Sequence, residues 1–365
     1  MKIFIIGRYH PQRIISGPDK FPRTLYSYLL NNKIIEIKFI SFFFLNIPES
    51  SLYNRLFGYD SFKNDSNVIK LGIFRLFLFL YKEAPDIVHI TSGERFSIFV
   101  CVYKIFLKYR LVSTLHGISN IELRKASFLI KIKGLLFEKL ALMYSDVVTV
   151  VSKMLSVSIE KHYNLRSKIC VIPNGVDMEY SFNISREFNL DNELNFVFYN
   201  GTDKIITRGF DFVYNILGKL PYKNINIHII GVEVEDQHSQ SNITIINNGY
   251  LTKCQLISFW QNKHFFIKSP EYDSFPIMVL EAMATGTIPI ISDNVGVKEY
   301  IKNGLNGFVY SQDYPETLLE ILMSINSDKY NLNKISFEAS KIKSILSWEI
   351  VLPYYLNLYN KIVET

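Results

Sequence analysis

The sequence has little cysteine and no long apolar run. Its three cysteines, Cys101, Cys170 and Cys254, are odd in number, far apart and never in a CxxC spacing. A disulfide framework and a cysteine-ligated zinc site are therefore not expected, and a reducing, cytosolic compartment is. No stretch of eighteen residues is apolar and free of charge, so a membrane-spanning helix is not expected either. The opening MKIFIIG has an apolar run of four residues before Gly7 and Arg8, too short for a signal-peptide core and suited to a first strand. There is no short tandem repeat and no low-complexity tract. No GxGxxG follows the first strand, which argues against a dinucleotide dehydrogenase. A DxD-type metal-ligand set in a credible context is also lacking.

What is present is an ordinary globular composition with an uneven charge. Hydrophobic residues make up 48% and charged residues 20% of 365, which excludes disorder as the dominant state and suits two domains. The net charge of +6 hides a split. Residues 1–170 carry 25 Lys/Arg against 12 Asp/Glu, a net of +13, and residues 171–365 carry 15 against 22, a net of −7. A basic half joined to an acidic half suggests domains with different partners. No motif supports nucleic acid as the partner of the basic half.

Short apolar runs alternate with helical patterns along both halves. Strands are expected over residues 2–6, 34–44, 86–90, 110–115, 146–151 and 169–172, and again over 195–199, 225–230, 243–246, 265–268, 288–291 and 307–310. A loop is expected over 7–18, a helix over 21–30 with Pro22 in its first turn, and a long, basic, amphipathic helix over 124–144. The apolar segments 73–81 and 96–103 read as buried helices or strands. Such alternation indicates parallel sheets covered by helices, here two Rossmann-like α/β domains. In open parallel sheets ligands sit beyond the C-terminal strand ends, so the cleft between two facing sheets is the default site.

The strongest motif is SPEYDSFPIMVLEAMATGTIPII, residues 269–291. A strand leads to a loop with Asp273, and a helix starting near Pro276 carries Glu281. Seven residues separate the two acids. As eight helical steps that spacing is about 12 Å, too far for an acid/base pair acting on one bond, which needs roughly 5–9.5 Å. The acids suit the two ends of an extended ligand. The helix N-terminus between them, with free N–H groups and a positive dipole end, suits a diphosphate. Asp273 in a surface turn and Glu281 on a solvated helix face is the plainer alternative.

This string resembles the retaining glycosyltransferases of the GT-B fold, family 4, whose pattern is E-x-F-G-x-x-x-x-E-A-M-A-x-G-x-P-V-I. The resemblance continues through Asp293-Asn294-Val295-Gly296, Glu299-Tyr300-Ile301 and 303–307 (NGLNG). It covers essentially the whole chain. It implies an α/β GT-B fold of two Rossmann-like domains facing across a cleft. Residues 1–175 would form the acceptor side and 176–345 the nucleotide-sugar side, and 346–365 a helix crossing back to the first domain. By matching position, Asp273 would contact donor-sugar hydroxyls and Glu281 the nucleotide ribose. Ser274, Phe275, Pro276 and Ile277 would surround the phosphates. Asp273 is one methylene shorter than the family's Glu, and Pro276 stands where Gly is commoner.

Further site residues follow from the same resemblance. In NGTDKIITRG, residues 200–209, Arg208 matches the family's Lys that neutralises the departing diphosphate. Thr202 stands where the family has Arg, and Lys204, two residues on, is the candidate substitute. His116, at the end of a first-domain strand, would position the donor sugar. His89 reads as core or as a residue behind the site. Gly17 is what remains of a Gly-Gly turn that lets backbone approach the donor phosphates. Val151-Ser152-Lys153, 173–177 (PNGVD) and Trp348 read as hinge and architecture.

The implied reaction moves a hexosyl group from a UDP- or GDP-linked donor to a hydroxyl of a glycan or lipid-linked acceptor, with retention and without a metal or other cofactor. Charge developing on the β-phosphate would meet Arg208, Lys204 and the helix N-terminus, and domain closure would exclude water. The +13 half would engage acceptor and an anionic membrane surface, at the inner face of a bacterial cell membrane, as in surface polysaccharide assembly. A nucleotide-sugar-binding protein with weak or no turnover, motivated by Thr202 and Asp273, and a sugar-nucleotide epimerase are the alternatives.

Overall fold

The computed structural model describes residues 1–9, 17–32, 34–43, 51–62, 65–91, 97–122, 127–163, 168–183, 188, 193–199, 209–221, 224–234, 240–270, 272–325 and 329–364. The chain divides into two compact units, Met1–Pro173 with Val351–Thr365, and Asn174–Ile350.

The first unit begins with β1 (Lys2–Ile6), α1 (Gly17–Leu30), β2 (Glu36–Phe42), α2 (Leu52–Phe57), β3 (Tyr59–Phe62), β4 (Asp65–Leu71), α3 (Ile73–Glu83) and β5 (Ile87–Ile90). It continues through α4 (Ser97–Tyr103), β6 (Arg110–Leu115), α5 (Ser119–Glu122), α6 (Phe128–Tyr144), β7 (Val147–Val150), α7 (Lys153–Tyr163) and β8 (Ile169–Val171). The second unit holds β9 (Leu194–Tyr199), α8 (Phe210–Leu217), β10 (Ile225–Ile230), β11 (Ile243–Gly249), α9 (Lys253–Trp260), β12 (Phe265–Lys268) and α10 (Ile277–Ala284). After β13 (Ile288–Ser292) come a short 3-10 turn at Gly296–Tyr300, β14 (Phe308–Tyr310), α11 (Glu316–Ile325), α12 (Leu332–Ser340), α13 (Lys343–Leu346) and α14 (Trp348–Glu364). The division between units falls within α14, after Ile350.

The first sheet has the order β3-β4-β2-β1-β5-β6-β7-β8, parallel except for the β3–β4 pair. Its central strands are buried along nearly their whole length because both faces are covered. Right-handed crossovers place α3, α4, α6 and α7 on one face and α1 on the other. Ring contacts agree: Phe77 of α3 meets Tyr103 of α4 at 5.0 Å, and Phe21 of α1 meets Tyr355 of α14 at 5.2 Å. The second sheet is all parallel, with order β11-β10-β9-β12-β13-β14. Its core includes Phe196, Phe198, Phe210, Phe265, Ile267, Ile290 and Tyr310.

Several expectations need correction. Gly17 is the first residue of α1 rather than part of a loop, and Pro22 lies inside that helix, where it forgoes one backbone hydrogen bond. The α2 helix and the β3–β4 pair lie where no elements were expected. The long helix begins at Phe128, after the short α5, and Arg124 and Lys125 lie outside the described residues. Segment 73–81 is helical but only half buried: Ile73, Leu76 and Leu80 point inward, while Phe74, Leu78 and Tyr81 are exposed. Along α6 the buried seam is Phe137, Glu138, Ala141 and Leu142, and the apolar residues Phe128, Leu129, Ile132 and Leu136 face solvent.

Candidate active site

In the second unit the strand order reverses direction between β9 and β12, so their C-terminal ends flank the crevice where open parallel sheets bind ligands. Two of the sequence signals leave the sheet there. The loop after β12 carries Asp273, and the chain after Tyr199 carries Thr202, Lys204 and Arg208, which lie outside the described residues. The chain is described again from Gly209, which caps α8 with φ of +82°. A Cβ on Gly209 would lie 2.3 Å from the Ser269 carbonyl oxygen, so only glycine allows this approach of the two loops.

Asp273 is not a free surface turn. Its backbone N–H donates to the Asn294 carbonyl at 3.1 Å, and its carbonyl accepts from the Gly296 N–H at 2.8 Å. Its carboxylate accepts from Lys268 Nζ at 3.0 Å. The 293–296 motif thus serves to hold Asp273 from behind. Ser274 and Phe275 are buried, and Phe275 meets Tyr300 edge-on at 6.0 Å. Pro276 is the N-cap of α10, with Ile277 first in the helix, and no described side chain caps this end. Pro276 carries no N–H, so the free donors of the first turn come from Ile277 and Met278, while the Val279 N–H already bonds the Pro276 carbonyl at 3.1 Å. Gly286, at φ +85°, ends this helix and turns the chain into β13.

Glu281 lies one turn into α10 and is buried rather than on a solvated face. Only the last four steps from Asp273 to Glu281 are helical, a rise of about 6 Å, and the first part is loop, so the eight-step helical estimate does not apply. The Tyr180 hydroxyl hydrogen-bonds Glu281. Tyr180 is itself buried, and burial together with the Glu281 charge pushes its phenol far above the usual range, so it stays a neutral donor. Asp273, Ser274, Phe275, Pro276, Ile277 and Glu281 are therefore one local assembly.

His116 and Gly17 belong to the first unit. His116 follows β6, and its Nε2–H donates to the Thr91 carbonyl at 3.1 Å. Phe21 packs edge-on against it at 5.3 Å. His89 is fully buried beneath, with Nδ1 at 2.6 Å from Tyr359 Oη and Nε2 at 2.7 Å from Thr114 Oγ1. Thr114 Oγ1 in turn bonds Thr149 Oγ1 at 2.6 Å. Burial holds the His89 imidazole down at about 3, so it is a neutral link tying β5, β6 and α14.

Sequence reading missed Lys268 and Tyr180. Lys268 ends an apolar strand and is 3% exposed, its ammonium 5.3 Å from the centre of the Tyr199 ring at the end of β9. The Tyr180 signal was its place three residues after the Pro-Asn-Gly-Val-Asp turn.

Two units, each built on a largely parallel sheet with a reversal of strand order, define the class as a two-domain α/β fold of the GT-B type. Comparison with known proteins agrees. Residues 180–341 match the family of glycosyl transferases group 1, and residues 53–180 match glycosyltransferase family 4. The fold is GT-B, and each of the two units carries a match to a glycosyltransferase family. It is 26% identical over 244 residues to an uncharacterized glycosyltransferase of Methanocaldococcus jannaschii, covering 65% of this chain and 64% of that one. Over 135 residues it is 26% identical to the N,N'-diacetylbacillosaminyl-diphospho-undecaprenol alpha-1,3-N-acetylgalactosaminyltransferase of Campylobacter jejuni, covering 36% of each. The chain thus spans less than two thirds of the length of these curated relatives. The fold resembles that of sucrose-phosphate synthase from Thermosynechococcus elongatus, with a TM-score of 0.74, 15% identity and coverage of 99% and 98%.

Proposed function

We propose that this chain transfers a hexosyl group, with retention, from a UDP- or GDP-linked donor to a hydroxyl of a lipid-linked or glycan acceptor in bacterial surface polysaccharide assembly. The observation that carries this reading is the assembly of Asp273 and buried Glu281 around the uncapped N-terminus of α10. Asp273 is assigned to donor-sugar hydroxyls, Glu281 to the ribose, and the Ile277 and Met278 N–H groups to the diphosphate. Arg208 and Lys204, with Thr202 beside them, are assigned to the phosphates on the resemblance alone. His116 and Gly17 are assigned to the donor side on the same ground. No metal is invoked in the reaction.

The acceptor assignment rests on the first unit. Its α2–α3–α4–α6 face exposes Tyr81, Phe106 and Phe128 at 72%, 70% and 76%, beside exposed Arg75, Lys82, Lys108, Lys133 and Lys139. Apolar side chains interleaved with cations suit the headgroup layer of an anionic membrane. No described helix is long and apolar enough to cross a membrane, so the contact proposed is peripheral, at the cytoplasmic face. The acceptor named for the Campylobacter relative, a diphospho-undecaprenol, supports the lipid-linked class.

A thermal-shift screen with UDP- and GDP-hexoses tests the donor site. One nucleotide class is expected to raise the melting temperature, and Glu281→Ala to abolish the rise. A rise that survives Glu281→Ala contradicts the ribose assignment.

A further inference from the structure

The family pattern resembled in this chain has a cation where Thr202 stands. The structure places a buried cation, Lys268, at the switch point of the second sheet. Lys268 is the last residue of β12, paired in register with Ile291 of β13, in a strand buried on all four residues. Its side chain is 4% exposed. Taking an ammonium out of water costs several kcal/mol unless it is paired in good geometry. Here the partners are the Asp273 carboxylate at 3.0 Å and the Tyr199 ring face at 5.3 Å. A methionine or leucine of similar volume would serve the core better. A buried ion pair at a ligand-binding crevice is instead what a site uses to fix a charged group's direction.

We propose that Lys268 is a positioning residue of the donor site: it fixes the Asp273 carboxylate toward the donor sugar, in a chain whose acid there is one methylene short. The assignment rests on the proposed function above. Asp273 is held at three points, by the Asn294 carbonyl, the Gly296 N–H and Lys268. The first two fix its backbone, and only Lys268 among these fixes its side chain. The ammonium sets the direction of the carboxylate, which the backbone bonds alone do not. Lys268 therefore acts on recognition of the sugar, while Glu281 acts on the nucleoside.

Calorimetric titration of the full chain with UDP and GDP, and with UDP-glucose and GDP-mannose, separates the two. Lys268→Met is expected to weaken the sugar nucleotide by about tenfold, the size of one lost hydrogen bond to a charged group. Affinity for the free nucleoside diphosphate should stay within about twofold, the size of a surface-site perturbation. In the background of Asp273→Asn, Lys268→Met should add little, and this double variant removes both charges together and so keeps the test open if the single variant folds poorly. Equal losses on nucleotide and sugar nucleotide, or additive losses in the two single variants, would overturn the assignment while leaving the proposed function standing. A wild-type chain that binds neither ligand overturns both.

Discussion

His89 shows how one buried residue makes stability depend on pH. The imidazole is bonded at both nitrogens and held by burial at about 3, against an ordinary value near 6.5. The unfolded chain binds a proton there below pH 6.5, and the folded chain does so only near 3. The stabilisation from the neutral ring is therefore complete above pH 6.5 and is lost as the pH falls toward 3, by up to about 1.4 kcal/mol per pH unit in that window. Thermal denaturation should give a melting temperature that falls from pH 7 to pH 4, and a shallower fall in His89→Asn. Equal slopes would contradict it. The reading of His89 as core was available from its place in the apolar run DIVHI. Asp273 and Glu281 stood out as candidates because their spacing sits inside a long specific string. Lys268 and Tyr180 were not. A lysine at a strand end reads as solvated, and its burial depends on β9 and β13 flanking it, which no local pattern reports.

At the scale of elements, the central strands and most helices were legible from apolar runs and period. The β3–β4 pair was not, because YDSF and DSNVIKL carry neither an apolar run nor clean alternation. The start of α1 was missed because Gly17 and Pro18 read as loop. The periodicity of α6 misled in a different way. Its N-terminal half is apolar on more than one side, so sequence could not tell which side packs. In the structure the packed side is the one facing α4 and β6, and the remainder is exposed with α3 on the same face. If that face meets lipid, the chain should co-sediment with anionic vesicles at low salt. Phe106→Glu with Phe128→Glu should reduce binding by roughly tenfold or more, two buried aromatic side chains being involved. Unchanged sedimentation in that variant, or none by the wild type, would contradict the membrane contact and leave the donor site untouched.

At the scale of the whole molecule, the charge split gains a physical content. The −7 half carries the acidic assembly of Asp273 and Glu281, with Lys268 as a buried cation inside it, and the +13 half carries the exposed apolar and basic face. Salt should therefore weaken membrane engagement more than donor binding. The fold class was legible from motif and alternation, whereas the partners of each half depend on which side chains the packing leaves outside. The central claim is sugar transfer from a nucleotide donor to a lipid-linked acceptor. The most direct measurement is release of nucleoside diphosphate, followed by phosphorus NMR, when UDP- and GDP-hexoses are mixed with the protein and with anionic vesicles carrying a polyprenyl-diphosphate-linked sugar. Release that requires one nucleotide class and the acceptor, and that disappears in Glu281→Ala, is the predicted result. Donor binding without release in the presence of such acceptors would contradict it.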